Sequence, residues 1–167
     1  MRLEENIHTI GMRDSSAILL VEDDEADILL LRRAFRNAHI ANPLIEVRDG
    51  QTAIQYLAGE GDYADRTRCP IPFLILLDLR LPKLSGFEVI AWVRDQPHLA
   101  GLIVVVLTAS DHAPDVTKAR ELGANSYLVK PGNFEELVQM VKRIKGHWLL
   151  VDRPSEGAVS RESSRAR

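Results

Sequence analysis

At 167 residues, 46% of them hydrophobic and 27% charged, the chain has the make-up of one soluble globular domain with loose ends. A net charge of −3 and a pI of about 6.0 exclude the basic surplus that phosphate-backbone binding needs. The lone cysteine, Cys69, cannot close an internal disulfide, which fits a reducing cytosol and makes the expected localisation cytoplasmic, and no run reaches the ~20 apolar residues of a membrane helix.

Residues 1–16 are polar and read as a flexible lead-in, not a signal peptide. The first strand is expected over residues 17–21, where Ile18-Leu19-Leu20-Val21 runs straight into Glu22-Asp23-Asp24. A helix follows, capped by Asp24, with Ile28, Leu31, Phe35 and Ala38 at helical spacing on its inner face. Asn42-Pro43 breaks the chain before a second strand over 44–47, and Asp49-Gly50 turns into a helix carrying Ala53, Ile54 and Leu57. Residues 59–72, with Gly59, Gly61, Pro70 and Pro72, read as a long surface loop of the functional kind.

The third strand ends at Asp78 after Phe73-Leu74-Ile75-Leu76-Leu77. Pro82 and Gly86 shape the next loop, and residues 87–94 form a helix stopped by Pro97. The fourth strand runs to Leu107 and stops at Thr108. A mostly polar helix spans 113–122 with Gly123 as its C-cap, and the fifth strand spans 126–129 before Lys130-Pro131. The last helix is capped by Asn133. Its buried stripe is Phe134, Leu137, Val138, Val141 and Ile144, with acids at its positive end and Lys142, Arg143 and Lys145 at its negative end. Trp148-Leu149-Leu150-Val151 either closes the core or offers a partner patch. The domain is therefore expected over 17–151, with a disordered tail over 152–167.

Strands alternating with helices specify an α/β fold: a three-layer sandwich around a five-stranded parallel sheet in the order 2-1-3-4-5, flavodoxin-like, in a single domain. Glu22, Asp23 and Asp78 then flank the switch point between strands one and three, where open α/β sheets bind ligands. Crowded carboxylates repel, and a hard, oxygen-seeking Mg²⁺ resolves the conflict. Asp78 could then attack an electrophilic phosphorus, with Lys130 and the Thr108 hydroxyl on the phosphoryl oxygens. Alone, Glu22-Asp23-Asp24 would be the acidic start of a helix. The coincidence with Asp78 and Lys130 at other strand ends favours a metal site. The histidines are scattered without metal spacing, and none is a convincing phosphodonor.

The ordered set Leu19-Leu20-Val21-Glu22-Asp23-Asp24, Asp49-Gly50, Leu77-Asp78-Leu79-Arg80-Leu81-Pro82, Gly86, Leu107-Thr108-Ala109 and residues 123–131 resembles a receiver domain of two-component response regulators, over about residues 17–145. The resemblance implies Asp78 as phosphoacceptor, Asp23 as a direct metal ligand and Glu22 as a ligand mostly through water. It implies the Arg80 backbone carbonyl as a further ligand, Thr108 and Tyr127 as a switch pair, Lys130 on the phosphoryl group, and a cis Lys130–Pro131 bond. The long 59–72 loop, the lack of a recognisable output domain and the apolar end of the last helix are similar to stand-alone regulators that partner bacterial phytochrome-type histidine kinases. The implied partners are such a kinase and a second copy of the chain, paired through the fourth helix, fifth strand and fifth helix, with no nucleic acid and no membrane.

Other classes are weaker. A phosphatase with an aspartyl intermediate would keep a second acid two residues after the nucleophile, where this chain has Arg80, so no turnover of an external substrate is expected. A flavin or nucleotide module needs a phosphate cradle after the first strand, and Glu22-Asp23-Asp24 would repel phosphate there. A phosphorylation-independent receiver-like interaction module is the remaining alternative. Beside the path of an attacking water, the Arg80 side chain is expected to shield the acyl phosphate.

Overall fold

The computed structural model describes residues 16–149. The lead-in and tail expected at the two ends, and Leu150 and Val151, lie outside the described residues. Chain order runs β1 (Ile18–Val21), α1 (Glu25–Asn37), β2 (Leu44–Val47), α2 (Gly50–Ala58), β3 (Leu74–Leu77), α3 (Gly86–Asp95), β4 (Ile103–Thr108), α4 (Ala113–Leu122), β5 (Ser126–Val129) and α5 (Phe134–Ile144). Short 3₁₀ turns follow α2 and α3, and a π-helical turn, Lys145–Leu149, extends α5.

The five strands pair in the order β2-β1-β3-β4-β5, all parallel. This is the expected flavodoxin-like sheet. Register sets the working edge: Val21 lies opposite both Val47 and Leu77, Leu77 opposite Val106, and Thr108 opposite Val129. Glu22, Asp78, Thr108 and Lys130 therefore emerge at the same edge.

Alternation along the strands splits the core in two. Ile18, Leu20, Leu74, Leu76, Val105 and Leu107 pack on α1 and α5. Leu19, Val21, Ile75, Leu77, Val104 and Val106 pack on α2, α3 and Ala119 of α4. Both faces of the sheet are covered, so its strands read as unbroken apolar runs.

Capping fixes where the helices begin. Asp24 accepts from Asp27 N, Asp49 from Thr52 N, and Asn133 from Glu136 N. At α3, Ser85 and Glu88 form a reciprocal capping box. Gly86 sits where a Cβ would lie 2.3 Å from the Asp78 carbonyl oxygen, so only glycine lets α3 start so close under the acid.

Helix α4 buries only Ala119, as its polar sequence foretold. Its far end is held by Arg94 of α3. That guanidinium donates to the carbonyls of Gly123 (2.9 Å) and Leu102 (2.9 Å) and to Asn125 Oδ1 (2.8 Å). Residues 59–72 are likewise tied down. Arg66 donates to the carbonyls of Tyr56, Leu57 and Cys69, and the Tyr56 hydroxyl to that of Pro70.

Trp148 is half-buried against the core and Leu149 is buried, so this part of the apolar end closes the domain. One expectation fails: every described peptide bond is trans, Lys130–Pro131 included. Trans is the lower-energy form even before proline. With it, Lys130 N donates to the Thr108 carbonyl at 2.7 Å, continuing the ladder past the strand end.

Candidate functional site

Strand pairing delivers the acids. Glu22 N donates to the Val47 carbonyl and Asp78 N to the Val21 carbonyl, both at 3.1 Å, so each acid is the first residue past its strand. Glu22 is 1% exposed and Asp78 8% exposed, whereas Asp23 faces solvent. Carboxylate oxygens of Glu22, Asp23 and Asp78 lie within 4.8 Å of one another. That spacing allows a common cation to be gripped, and an all-oxygen donor set suits a hard divalent ion.

Asp78 is held from both sides. The Thr108 hydroxyl donates to Oδ1 at 2.9 Å, Arg80 N donates to the same oxygen at 3.2 Å, and Lys130 Nζ donates to Oδ2 at 2.9 Å. The Lys130 ammonium also reaches Glu22 Oε2 and, at 2.8 Å, Asp27 Oδ2. A lysine has three donors, and here three carboxylates take them.

The protonation states follow from that wiring. Burial pushes Glu22 up to about 7, with the negative charge of Asp78 adding to it and the Lys130 contact only partly offsetting it. Burial also pushes Asp78 up, but the Lys130 contact and charge, the Thr108 hydroxyl and Arg80 N outweigh it and leave Asp78 below the usual range. For Lys130, burial favours the neutral amine. The contacts with Asp27, Glu22 and Asp78 override it and hold the ammonium protonated well above its ordinary range. The pocket thus keeps an ionised carboxylate at Asp78 beside a buried Glu22 that holds its proton more tightly than a free carboxyl, and a divalent cation would favour the ionised form of both.

Thr108 and Tyr127 are linked through Ser110. The half-buried Tyr127 donates its hydroxyl to the Ser110 carbonyl at 2.9 Å. Ser110 Oγ donates to Asp115 Oδ2 at 2.7 Å, in the first turn of α4. Hydrogen bonds therefore run from Asp78 through Thr108 to the loop that starts α4. Arg80 lies one residue past Leu79 with an exposed side chain.

Of the residues the sequence offered as candidates, the fold brings Glu22, Asp23, Asp78, Thr108 and Lys130 to one edge, and Tyr127, within β5 opposite Val106, reaches Ser110 with its hydroxyl. Sequence reasoning missed Asp27, Ser110 and Asp115. The only signal for Asp27 was its i, i+4 spacing to the buried Leu31, which turns it toward the sheet. An acid in a first helical turn is otherwise explained by the helix dipole.

Comparison with known proteins agrees with this geometry. The family model described as response regulator receiver domain matches residues 18–142. Response regulator Rcp1 of Synechocystis sp. is 43% identical over 132 residues, spanning 79% of this chain and 88% of the relative. The phosphorylated cyanobacterial phytochrome response regulator RcpA superposes with a TM-score of 0.76 at 41% identity, over 81% of this chain and 95% of RcpA. The Mn²⁺-bound form of Rcp1 gives a TM-score of 0.74 at 42% identity, over 84% of this chain and 99% of that one.

Proposed function

The chain belongs to the response regulator receiver domain family, and from that premise we propose that it takes a phosphoryl group from a histidine kinase onto Asp78, with Mg²⁺, and switches its protein-interaction face. The observation that carries this reading is the double hold on Asp78, by Thr108 on Oδ1 and by Lys130 on Oδ2. An ionised Asp78 oxygen attacks the phosphorus of a phosphohistidine. The N–P bond breaks, its electron pair stays on the imidazole, and that ring takes a proton from solvent. Lys130 and Thr108 then meet phosphoryl oxygens where they now meet the carboxylate. Glu22, Asp23 and Asp78 side chains and the Arg80 carbonyl would hold Mg²⁺, whose charge screens the incoming group.

Phosphorylation rewires Thr108, and the change passes through Ser110 and Tyr127 to α4, which buries little and shifts at small cost. The responding face is α4, β5 and α5, where a second copy pairs. Support comes from exposed Val129 and from an apolar groove of about 390 Å³ lined in part by Leu128, Met140, Ile144 and Trp148. Sedimentation that stays monomeric with and without phosphorylation would refute the dimer. The chain turns over no external substrate in this reading and works in the cytoplasm; no described helix is long and apolar enough to cross a membrane.

The kinase partner is of phytochrome type, by likeness to RcpA, itself a phytochrome response regulator. Label transfer from such a phosphorylated kinase is the test. Movement of the label to the parent chain supports the reading. No transfer, from a kinase that labels its own regulator, contradicts the choice of partner.

A further inference from the structure

Lys130 has no spare donor. Glu22 and Asp78 belong to the acidic cluster, but Asp27 lies outside the group whose oxygens share one cation position. It is the most exposed of the three lysine partners, with its side chain 36% accessible against 2% for Glu22 and 10% for Asp78. It is also the only one carried by a helix, in the first turn of α1. A cavity of about 40 Å³ lined by Asp27, Leu31, Leu107, Lys130, Pro131 and Leu137 lies beside the contact between Asp27 and Lys130.

We propose that Asp27 is a positioning residue that acts through Lys130: it competes with the phosphoryl group for the ammonium and so limits how firmly the phosphorylated state is held. The inference rests on the reading of Asp78 as acceptor. On phosphorylation, the singly charged carboxylate at the pocket floor becomes an acyl phosphate with more negative charge. The ammonium that must neutralise it is shared with a carboxylate 2.8 Å away, which partly cancels its field. Nothing in the acceptor role requires an acid at Asp27; its carboxylate weakens the grip that Lys130 would otherwise have. The same contact ties α1 to the pocket, so α1 carries a share of the phosphorylation response.

The experiment is a calorimetric titration with beryllofluoride, a phosphoryl mimic, at saturating Mg²⁺. Asp27→Asn should bind it roughly fivefold more tightly than the parent, the scale of one half-exposed ion pair. Asp27→Glu, which restores the charge, should return toward the parent value. Glu25→Gln removes a charge from the same helical turn, but Glu25 pairs with Arg48 and not with Lys130; its affinity should match the parent. Unchanged or weaker binding by Asp27→Asn overturns the proposal, as does equal tightening by Glu25→Gln. Loss of binding in the parent, or full binding by Asp78→Asn, would instead sink the acceptor reading beneath it.

Discussion

The Thr108 hydroxyl donates to Asp78 Oδ1 at 2.9 Å, across neighbouring parallel strands and out of reach of solvent. The same hydroxyl lies 3.5 Å from Ser110 N, and Ser110 in turn receives the Tyr127 hydroxyl through its carbonyl. On the proposed reading, a change at Asp78 is passed by Thr108 to the loop that starts α4. Removing the Tyr127 hydroxyl should leave phosphorylation intact but loosen that loop. Tyr127→Phe is expected to cost about 1 kcal/mol in denaturant unfolding. It should also reduce the difference in hydrogen exchange across residues 110–116 between free and beryllofluoride-bound protein.

Glu22 predicts a pH dependence of stability without metal. Its folded-state pKa of about 7 lies above the ordinary 4.5. Below the lower value both states are protonated. Between the two, the folded chain keeps a proton that the unfolded chain has released, so stability falls as pH rises, and above about 7 the loss is constant. Urea melts in chelator should show this decline. Glu22→Gln should flatten it, and saturating Mg²⁺ should offset it by favouring the ionised carboxylate.

Arg94 meets carbonyl and amide oxygens only, with burial lowering its pKa. Arg94→Met keeps most of the stem but strips the donors from partly buried acceptors. A loss of roughly 2–4 kcal/mol is expected by denaturant titration. Exchange should rise at Gly123 and Asn125, the pinned end of α4. A loss under 0.5 kcal/mol, roughly the scale of an unconstrained surface change, would mean the staple is ornamental.

Arg80 has an exposed side chain two residues past Asp78, where it is expected to shield an acyl phosphate from water. Arg80→Asn should therefore shorten the lifetime of the phosphorylated protein, measured by decay of label after the donor is removed. An unchanged lifetime would remove the idea.

The fold was legible because burial on both faces of a parallel sheet leaves apolar runs, and because polar groups end them. Strands Leu44–Val47 and Ser126–Val129 and helix Ala113–Leu122 fall where their residues indicated. Ala17, read as the first residue of strand one, is buried but precedes the paired segment. The site was legible for the same reason: Glu22, Asp78, Thr108 and Lys130 each sit at the end of such a run. The contacts that were missed join distant residues by side chain. Asp27 and Lys130 are 103 positions apart, and Arg94 bonds into two loops at once. Beyond the spacing of Asp27 to Leu31, neither leaves a trace in the sequence. Arg94 in particular looks like an ordinary basic residue at a helix end.

The most direct test of the acceptor site is intact mass after incubation with acetyl phosphate and Mg²⁺. The parent should gain one phosphoryl group and the Asp78→Asn variant none. A parent that stays at its starting mass, or an Asp78→Asn variant that gains the same increment, would contradict the assignment of Asp78.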